Sequence, residues 1–144
     1  MNALHVRIVE LRERLLDGEL EGTEVHMAYD AQGLPDALVT TPSTELLREY
    51  AACYAMDIAA TTGGDIDAMR VLWARYIKHV GRQWFPAVIQ FSMEFMVQVM
   101  MPQREEGIAM GLTAAEVQTS QELTTVALFE RTLGRIDNVD SGTP

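Results

Sequence analysis

The feature that most constrains the fold is a long apolar stretch from Trp84 to Met101, WFPAVIQFSMEFMVQVMM. As an α-helix it would be about 27 Å long, at a rise of 1.5 Å per residue. Its polar residues Gln90, Glu94 and Gln98 recur every four positions and so fall on one narrow stripe. A helix that is apolar on its other sides must be covered by its own domain, a second copy or lipid. We therefore expect this helix to lie at the centre of the fold.

Length, charge and cysteine content narrow the class of protein. A chain of 144 residues suits one domain with a hydrophobic core. Its net charge of −10 disfavours nucleic-acid binding and favours solubility or a basic partner. The single cysteine, Cys53, excludes an intramolecular disulfide, and the charged N-terminus lacks the apolar core of a signal peptide. These features predict a cytoplasmic protein, and the excess of arginine over lysine suggests a GC-rich bacterial or phage gene.

Capping and breaking residues predict five helices. Asn2, Ser43 or Thr44, and Asp65 can cap the first three. Pro102 should end the central helix, which leaves 103–111 as a charged connection. Thr113 and Glu116 form a capping box for a last helix that closes near Gly134.

Two of these helices show a clear apolar side. In the second, we expect Asp57 to face outward together with Glu45, Arg48 and Glu49. In the third, the expected buried side comprises Ile66, Met69, Leu72, Trp73, Tyr76 and Val80. A basic arc occupies its other side and comprises Arg75, Lys78, His79 and Arg82.

From Thr23 to Thr41 the apolar period changes to two, which predicts a β-hairpin. Val25, Met27 and Tyr29 share one face of its first strand, and the segment 30–33, Asp-Ala-Gln-Gly, suits a type I turn with a glycine bulge. A lone two-stranded hairpin is marginally stable in water. It must therefore lie on the helices or pair with another chain.

Together these patterns predict a mainly α protein. We expect a five-helix bundle around the central helix at about 84–101, with one hairpin at about 23–41 between helices 1 and 2. Residues 1–136 form a single domain in this interpretation, and residues 137–144 form a disordered tail because they are polar and lack periodicity.

The sequence predicts no catalytic, cofactor or metal site. His5, His26 and His79 lie in three different elements and make no ligand pair at helical spacing. Cys53 fits a buried small hydrophobe better than a nucleophile. The acidic segment 17–24 imitates the start of a calcium loop, but Ala28 occupies the position where a bidentate Glu is needed.

Several residues are candidates for an interaction surface instead. Glu94 either pairs with an arginine and reaches water along the Gln90–Gln98 stripe, or is a tuned acid or a polar specificity element at a subunit interface. Met96 and Met100 belong to a methionine cluster that is either core filler or an adaptable binding surface. The basic arc either binds an acidic or phosphorylated partner or is neutralised within the chain. The hairpin residues Val25, Met27 and Tyr29 complete the set.

The favoured function is a non-enzymatic assembly or accessory factor that self-associates, most simply as a dimer, through the central helix and the hairpin. One alternative is an acidic inhibitor that presents the segment 17–24 to a basic nucleic-acid-binding protein. Another is a small-molecule-binding domain with a pocket among Trp73, Tyr76, Trp84 and Phe91. A membrane span over 83–103 is disfavoured by Glu94 and Pro86, so no membrane partner is predicted.

Overall fold

The computed structural model describes residues 2–17, 20 and 24–140, and within them it shows five helices and one antiparallel hairpin. The helices are α1 (Ala3–Leu15), α2 (Thr44–Thr61), α3 (Ile66–Val80), α4 and α5 (Ala114–Asp140). The strands β1 (Glu24–Tyr29) and β2 (Pro35–Thr41) lie between α1 and α2. Helix α4 is continuous along the chain and consists of Phe85–Phe95, a π-helical segment Met96–Met100, and Met101–Ala109. The mainly α fold with an inserted hairpin is confirmed.

Local capping explains where the helices begin. The Asn2 side chain accepts a hydrogen bond from the His5 amide at 2.7 Å, and Ser43 accepts one from Leu46 at 3.0 Å. The Thr113–Glu116 capping box forms, with the Glu116 amide donating to the Thr113 hydroxyl at 3.2 Å. These side chains satisfy amide groups that have no partner within the helix, as the sequence predicts.

The core is built around α2, which packs against both α4 and α5. Its buried residues include Tyr50 and Met56, each 1 % exposed, and Cys53, which is fully buried. Helix α1 packs on α5, and Ile8, Leu11 and Phe129 are fully buried in the same core. Within Phe85–Met100 only Phe85, Val88 and Ser92 are buried, so the described part of the chain leaves much of this helix uncovered.

Helix α4 continues past Pro102, so the prediction that this proline ends the helix is wrong. The Met101 amide donates to the Met96 carbonyl, five residues back, which is the π-helical pattern. Pro102 then lies in the first turn of the renewed α-helical segment. A proline is tolerated in the first turn because amide groups there have no hydrogen-bond acceptor within their own α-helical segment. Residues 103–109 are therefore helical, and the reversal comes at Gly111, whose φ is 82°.

Helices α3 and α5 also differ from their predicted form. In α3, Leu72, Tyr76 and Val80 are buried as expected, but Ile66, Met69 and Trp73 are exposed because few residues of α3 contact α2 or α4. In α5, the helix does not close near Gly134, since it extends to Asp140. Residues 137–140 are thus helical, and 141–144 lie outside the described residues.

Candidate functional site

The hairpin is held by a tight turn that its sequence specifies. The Asp30 carboxylate accepts hydrogen bonds from the amides of Gln32, at 2.9 Å, and Leu34, at 3.0 Å. Gly33 has a φ of 78°, and its amide donates to the Asp30 carbonyl at 3.0 Å. A residue with a side chain rarely adopts this φ, so glycine is required at this position. The predicted turn is confirmed.

The register of the strands produces one apolar face. Val25 pairs with Thr40, and Met27 pairs with Leu38, so their side chains project from the same side of the hairpin. We call this side the hairpin apolar face, and it comprises Val25, Met27, Tyr29, Leu38 and Thr40. The opposite side carries His26 and Glu24, whose side chains are 3.4 Å apart, together with Ala28, Ala37 and Val39.

The hairpin apolar face is exposed. Leu38 is 70 % exposed, Val25 and Tyr29 are each 64 % exposed, and Met27 is 44 % exposed. Within both strands only Ala28 and Thr41 are even partly buried, and neither strand has more than marginal contact with a described helix. Contiguous apolar side chains that are exposed without cover often mark an interaction site.

A second exposed apolar surface lies on α4. Met93, Met96, Val97 and Met101 follow each other at helical spacing and are between 41 % and 63 % exposed, and we call them the methionine row. Gln90 and Gln98 are also exposed, whereas Met100 is partly buried. Of the candidate residues on this helix, Gln90, Met96 and Gln98 are therefore exposed, and Met100 is exposed only in part.

Glu94 is paired with an arginine. A guanidinium nitrogen of Arg48 donates to its carboxylate at 3.3 Å, and the side chains of Arg48 and Glu94 are 56 % and 41 % exposed. Arg48 also lies over the ring of Phe91, 4.1 Å from its centre. This geometry agrees with the paired and solvated alternative and gives no sign of a desolvated acid.

The four residues of the basic arc do not form one free surface. Arg75 is bound to Glu13 of α1 through both guanidinium nitrogens. His79 is only 8 % exposed, and its ring nitrogen lies 3.0 Å from the Tyr50 hydroxyl, so its outward placement is wrong. Only Lys78 and Arg82 of the arc are exposed without an ion pair in the described part of the chain.

A buried polar cluster that sequence reasoning missed joins three helices. Arg12 of α1 donates to both carboxylate oxygens of Asp57 of α2, with the Nε–Oδ2 distance at 2.7 Å, and the Tyr76 hydroxyl of α3 donates to Oδ2 at 2.9 Å. Asp57 is fully buried, which corrects its predicted outward orientation. Its spacing follows the polar side of α2, and the partner that neutralises it is 45 residues away in the chain.

The electrostatics of this cluster mark it as structural. Burial alone would lower the Arg12 pKa, but the hydrogen bonds and charge of Asp57 outweigh it and raise this pKa. Burial, reinforced by the Asp57 charge, raises the Tyr76 pKa well above its usual value. The guanidinium, the carboxylate and the neutral phenol satisfy one another, so the cluster stabilises helix packing and offers no free acid or base.

The remaining candidates for chemistry are also satisfied or apart. Burial raises the pKa of the Cys53 thiol to about 12, and its sulfur lies 3.4 Å from the Thr132 hydroxyl. No three histidine, cysteine or acidic side chains among residues 2–17, 20 and 24–140 are grouped so as to hold a metal ion. The acidic segment at 17–24 lies largely outside the described residues.

Two of the four residues expected to line an aromatic pocket differ in burial. Tyr76 is fully buried against Tyr54, with ring centres 4.9 Å apart, whereas Trp73 is 45 % exposed beside Phe85. A cleft occurs elsewhere, between α4 and α5, where it is lined by Met100 and Arg104.

Comparison with known proteins does not assign this chain to a family. None of the helices in the part of the chain that is described has the length and apolar character needed to cross a membrane. No protein-family model matches the chain, and no curated protein or solved structure is similar to it.

Proposed function

We propose that this chain is a non-enzymatic assembly or accessory protein that self-associates, with the hairpin apolar face of one copy packing against the same face of a second copy. The methionine row supplies a further apolar surface at which assembly can extend. One observation carries the proposal, namely that the hairpin apolar face has no cover within the described chain.

The stability of the hairpin supports this proposal. A two-stranded hairpin with water on both faces is at best marginally stable, because each side chain is ordered without being buried. Burying Tyr29 or Leu38 recovers about 1.5–3 kcal/mol per side chain. Packing two hairpins together provides this burial for both copies at once.

The residues that form the hairpin apolar face are uncharged, which is compatible with contact between two copies. With a net charge of −10, two copies repel each other, so burial of apolar surface has to offset this repulsion. Of the nearby carboxylates, Glu24 projects from the opposite side, Asp30 lies in the turn, and Asp36 lies at the register shift between Pro35 and Ala37. A two-fold axis through this face brings apolar side chains together and leaves Glu24 and Asp30 outside the contact.

The experiment is a measurement of mass by light scattering at micromolar concentration, without detergent. The wild-type protein should have about twice the 16.1 kDa chain mass. Leu38→Asp places a charge on the hairpin apolar face and should raise the dimer dissociation constant at least about tenfold, equivalent to 1.4 kcal/mol.

Val39→Asp is the matched control, because Val39 is the next residue of β2 and projects from the opposite side. It should leave the mass of the dimer unchanged. A wild-type mass equal to one chain, or equal effects of the two substitutions, would count against association through this face.

A further inference from the structure

The cleft between α4 and α5 is formed by residues at regular helical spacing. On α4, Met100, Gln103, Arg104 and Gly107 lie at i, i+3, i+4 and i+7 and therefore share one side. Val117, Ser120 and Gln121 do the same on α5. Met56 of α2 and Leu112 of the connecting turn complete the lining. The cleft exists only because α4 continues beyond Pro102.

Gly107 brings the two helices close at this point. A Cβ atom at Gly107 would lie 3.3 Å from Leu112 Cδ1 and 3.7 Å from Val117 Cγ2. The absence of a side chain lets the turn and α5 fold back onto α4, with Leu112 and Val117 forming an apolar wall. The cleft is partly open to solvent, and its volume of about 40 Å³ is room for about three water molecules. A ligand of this cleft must therefore be small.

Arg104 gives the cleft a positive charge at its exposed side. Seven other arginines lie within 4.0 Å of a carboxylate oxygen, whereas Arg104 has no such partner among the described residues. Glu105 and Glu106 follow it in the chain, but at i+1 and i+2 they lie on other sides of the helix. The guanidinium thus retains its five donors for an external acceptor.

We propose that this cleft binds a short aliphatic monocarboxylate of a few carbons. The carboxylate pairs with the Arg104 guanidinium, whose paired donors match its two oxygens. The alkyl chain lies against Met100, Leu112 and Val117, and the polar side chains of Ser120 and Gln121 border the head group. This site is separate from the hairpin apolar face, so it does not depend on the proposed self-association.

The test is an amide chemical-shift titration of the whole isotope-labelled protein with sodium butyrate, at constant ionic strength maintained with sodium chloride. Saturable shifts are expected at Gly107, Leu112 and Ser120, with a dissociation constant on the order of millimolar. 1-Butanol has the same alkyl chain without the charge and should bind at least about tenfold more weakly, because it cannot pair with Arg104.

Two substitutions complete the design. Arg104→Gln should weaken butyrate binding at least about tenfold while leaving the amide spectrum of the fold intact, since Arg104 is exposed and makes no ion pair. Arg82→Gln removes another exposed arginine that has no ion pair in the described chain, and it should leave the affinity unchanged. Shifts that do not saturate, equal binding of butanol, or equal effects of the two substitutions would each overturn the proposal.

Discussion

Asp57 puts a negative charge in the middle of the core, where water cannot solvate it. Removing a carboxylate from water costs several kcal/mol, and the cost is offset only by a partner that is already in place. Arg12 and Tyr76 supply three hydrogen bonds to its two oxygens, and Thr61 adds a weaker contact at 3.2 Å. Each of these groups depends on the others, so the loss of any one leaves the rest buried and incompletely paired.

Asp57→Asn should therefore lower the free energy of unfolding by about 3–5 kcal/mol, because it leaves the Arg12 charge buried without a counter-ion. The measurement is the urea midpoint at neutral pH. Asp67→Asn is the control, since the Asp67 side chain is 94 % exposed and is 3.9 Å from Arg70. It should change stability by less than about 0.5 kcal/mol. A similar midpoint for both variants would contradict the role assigned to the buried cluster.

Cys53 allows a test of core packing that needs no substitution. Its thiol is fully buried, and burial raises its pKa from 9.0 to about 12, so almost no thiolate exists at pH 8. Native protein should react with a thiol reagent only through transient opening, whereas protein in urea should react at the rate of a free cysteine. Rapid labelling of the native state would show that α2 and α5 do not enclose Cys53.

The raised pKa of Cys53 also determines how stability changes with pH in alkaline solution. Because the unfolded thiol loses its proton at lower pH than the folded thiol, the folded state binds more protons between about pH 9 and pH 12. Below about pH 9, ionisation of Cys53 therefore does not affect the stability of the fold. As the pH rises above that value, it lowers the free energy of unfolding. Substituting alanine for Cys53 should reduce the slope of the alkaline loss of stability, as measured by the urea midpoint.

At the scale of elements, the features that could be predicted best from the sequence are those that depend on neighbouring residues. The caps at Asn2, Ser43 and Thr113 and the turn at Asp30 depend on contacts within four residues. Pro102 was mistaken for a helix end because the π-helical segment that accommodates it leaves no distinct pattern in the sequence. The buried position of Asp57 was missed for a related reason, since its partner Arg12 lies in another helix.

The candidate surfaces were also predicted only where they depend on local sequence. The alternation of Val25, Met27 and Tyr29 identified one face of the hairpin, because strand geometry alone sets which side chains share a side. The exposure of that face could not be predicted, since it depends on how α1 and α2 direct the strands. The cleft at Arg104 was likewise missed, because residues 103–109 were expected to form a connection.

The capping box of α5 gives a prediction for a single element. Thr113→Ala removes the hydroxyl that accepts the Glu116 amide hydrogen bond, and it should lower the free energy of unfolding by about 0.5–2 kcal/mol. Thr119→Ala is the control, because its hydroxyl bonds only the Ala115 carbonyl within the same helix. It should be close to neutral. Urea denaturation compares the two, and equal losses would show that the cap does not set the start of α5.

The ion pair between α2 and α4 should contribute little. Arg48 and Glu94 are both substantially exposed, so Glu94→Gln should lower the free energy of unfolding at pH 7 by no more than about 0.2–1 kcal/mol. The loss should shrink further in high salt, since solvent ions screen exposed pairs. Thermal unfolding at two salt concentrations measures this. Clear stabilisation by Glu94→Gln would mean that the carboxylate is desolvated and that the pairing is wrong.

At the scale of the whole molecule, the distribution of apolar side chains is uneven. The core around α2 is well buried, with Tyr50, Cys53 and Met56 all at or below 1 % exposure, yet the hairpin and the outer part of α4 retain exposed apolar surfaces. Apolar side chains that serve only to stabilise the fold are expected in the core. Their position outside it is the observation on which the proposed contact with a second copy rests.

Such a contact links folding to association, which gives a last prediction. If only the folded chain dimerises, the apparent free energy of unfolding rises with protein concentration above the dissociation constant, by about 1.4 kcal/mol of dimer per tenfold increase. The thermal midpoint of the wild type should therefore rise steadily when the protein concentration is raised about a hundredfold from the low micromolar range. For Leu38→Asp it should be constant over the lower part of this range, because its weaker dimer is not populated there.

Val39→Asp should retain the concentration dependence of the wild type, since its side chain projects away from the hairpin apolar face. This comparison distinguishes two kinds of dimer that a mass measurement on the wild type cannot separate. Association through the methionine row alone would preserve the dependence in both variants, whereas association through the hairpin removes it from the lower part of the range in Leu38→Asp only. Retention in both variants would place the interface on α4 and remove the hairpin from it.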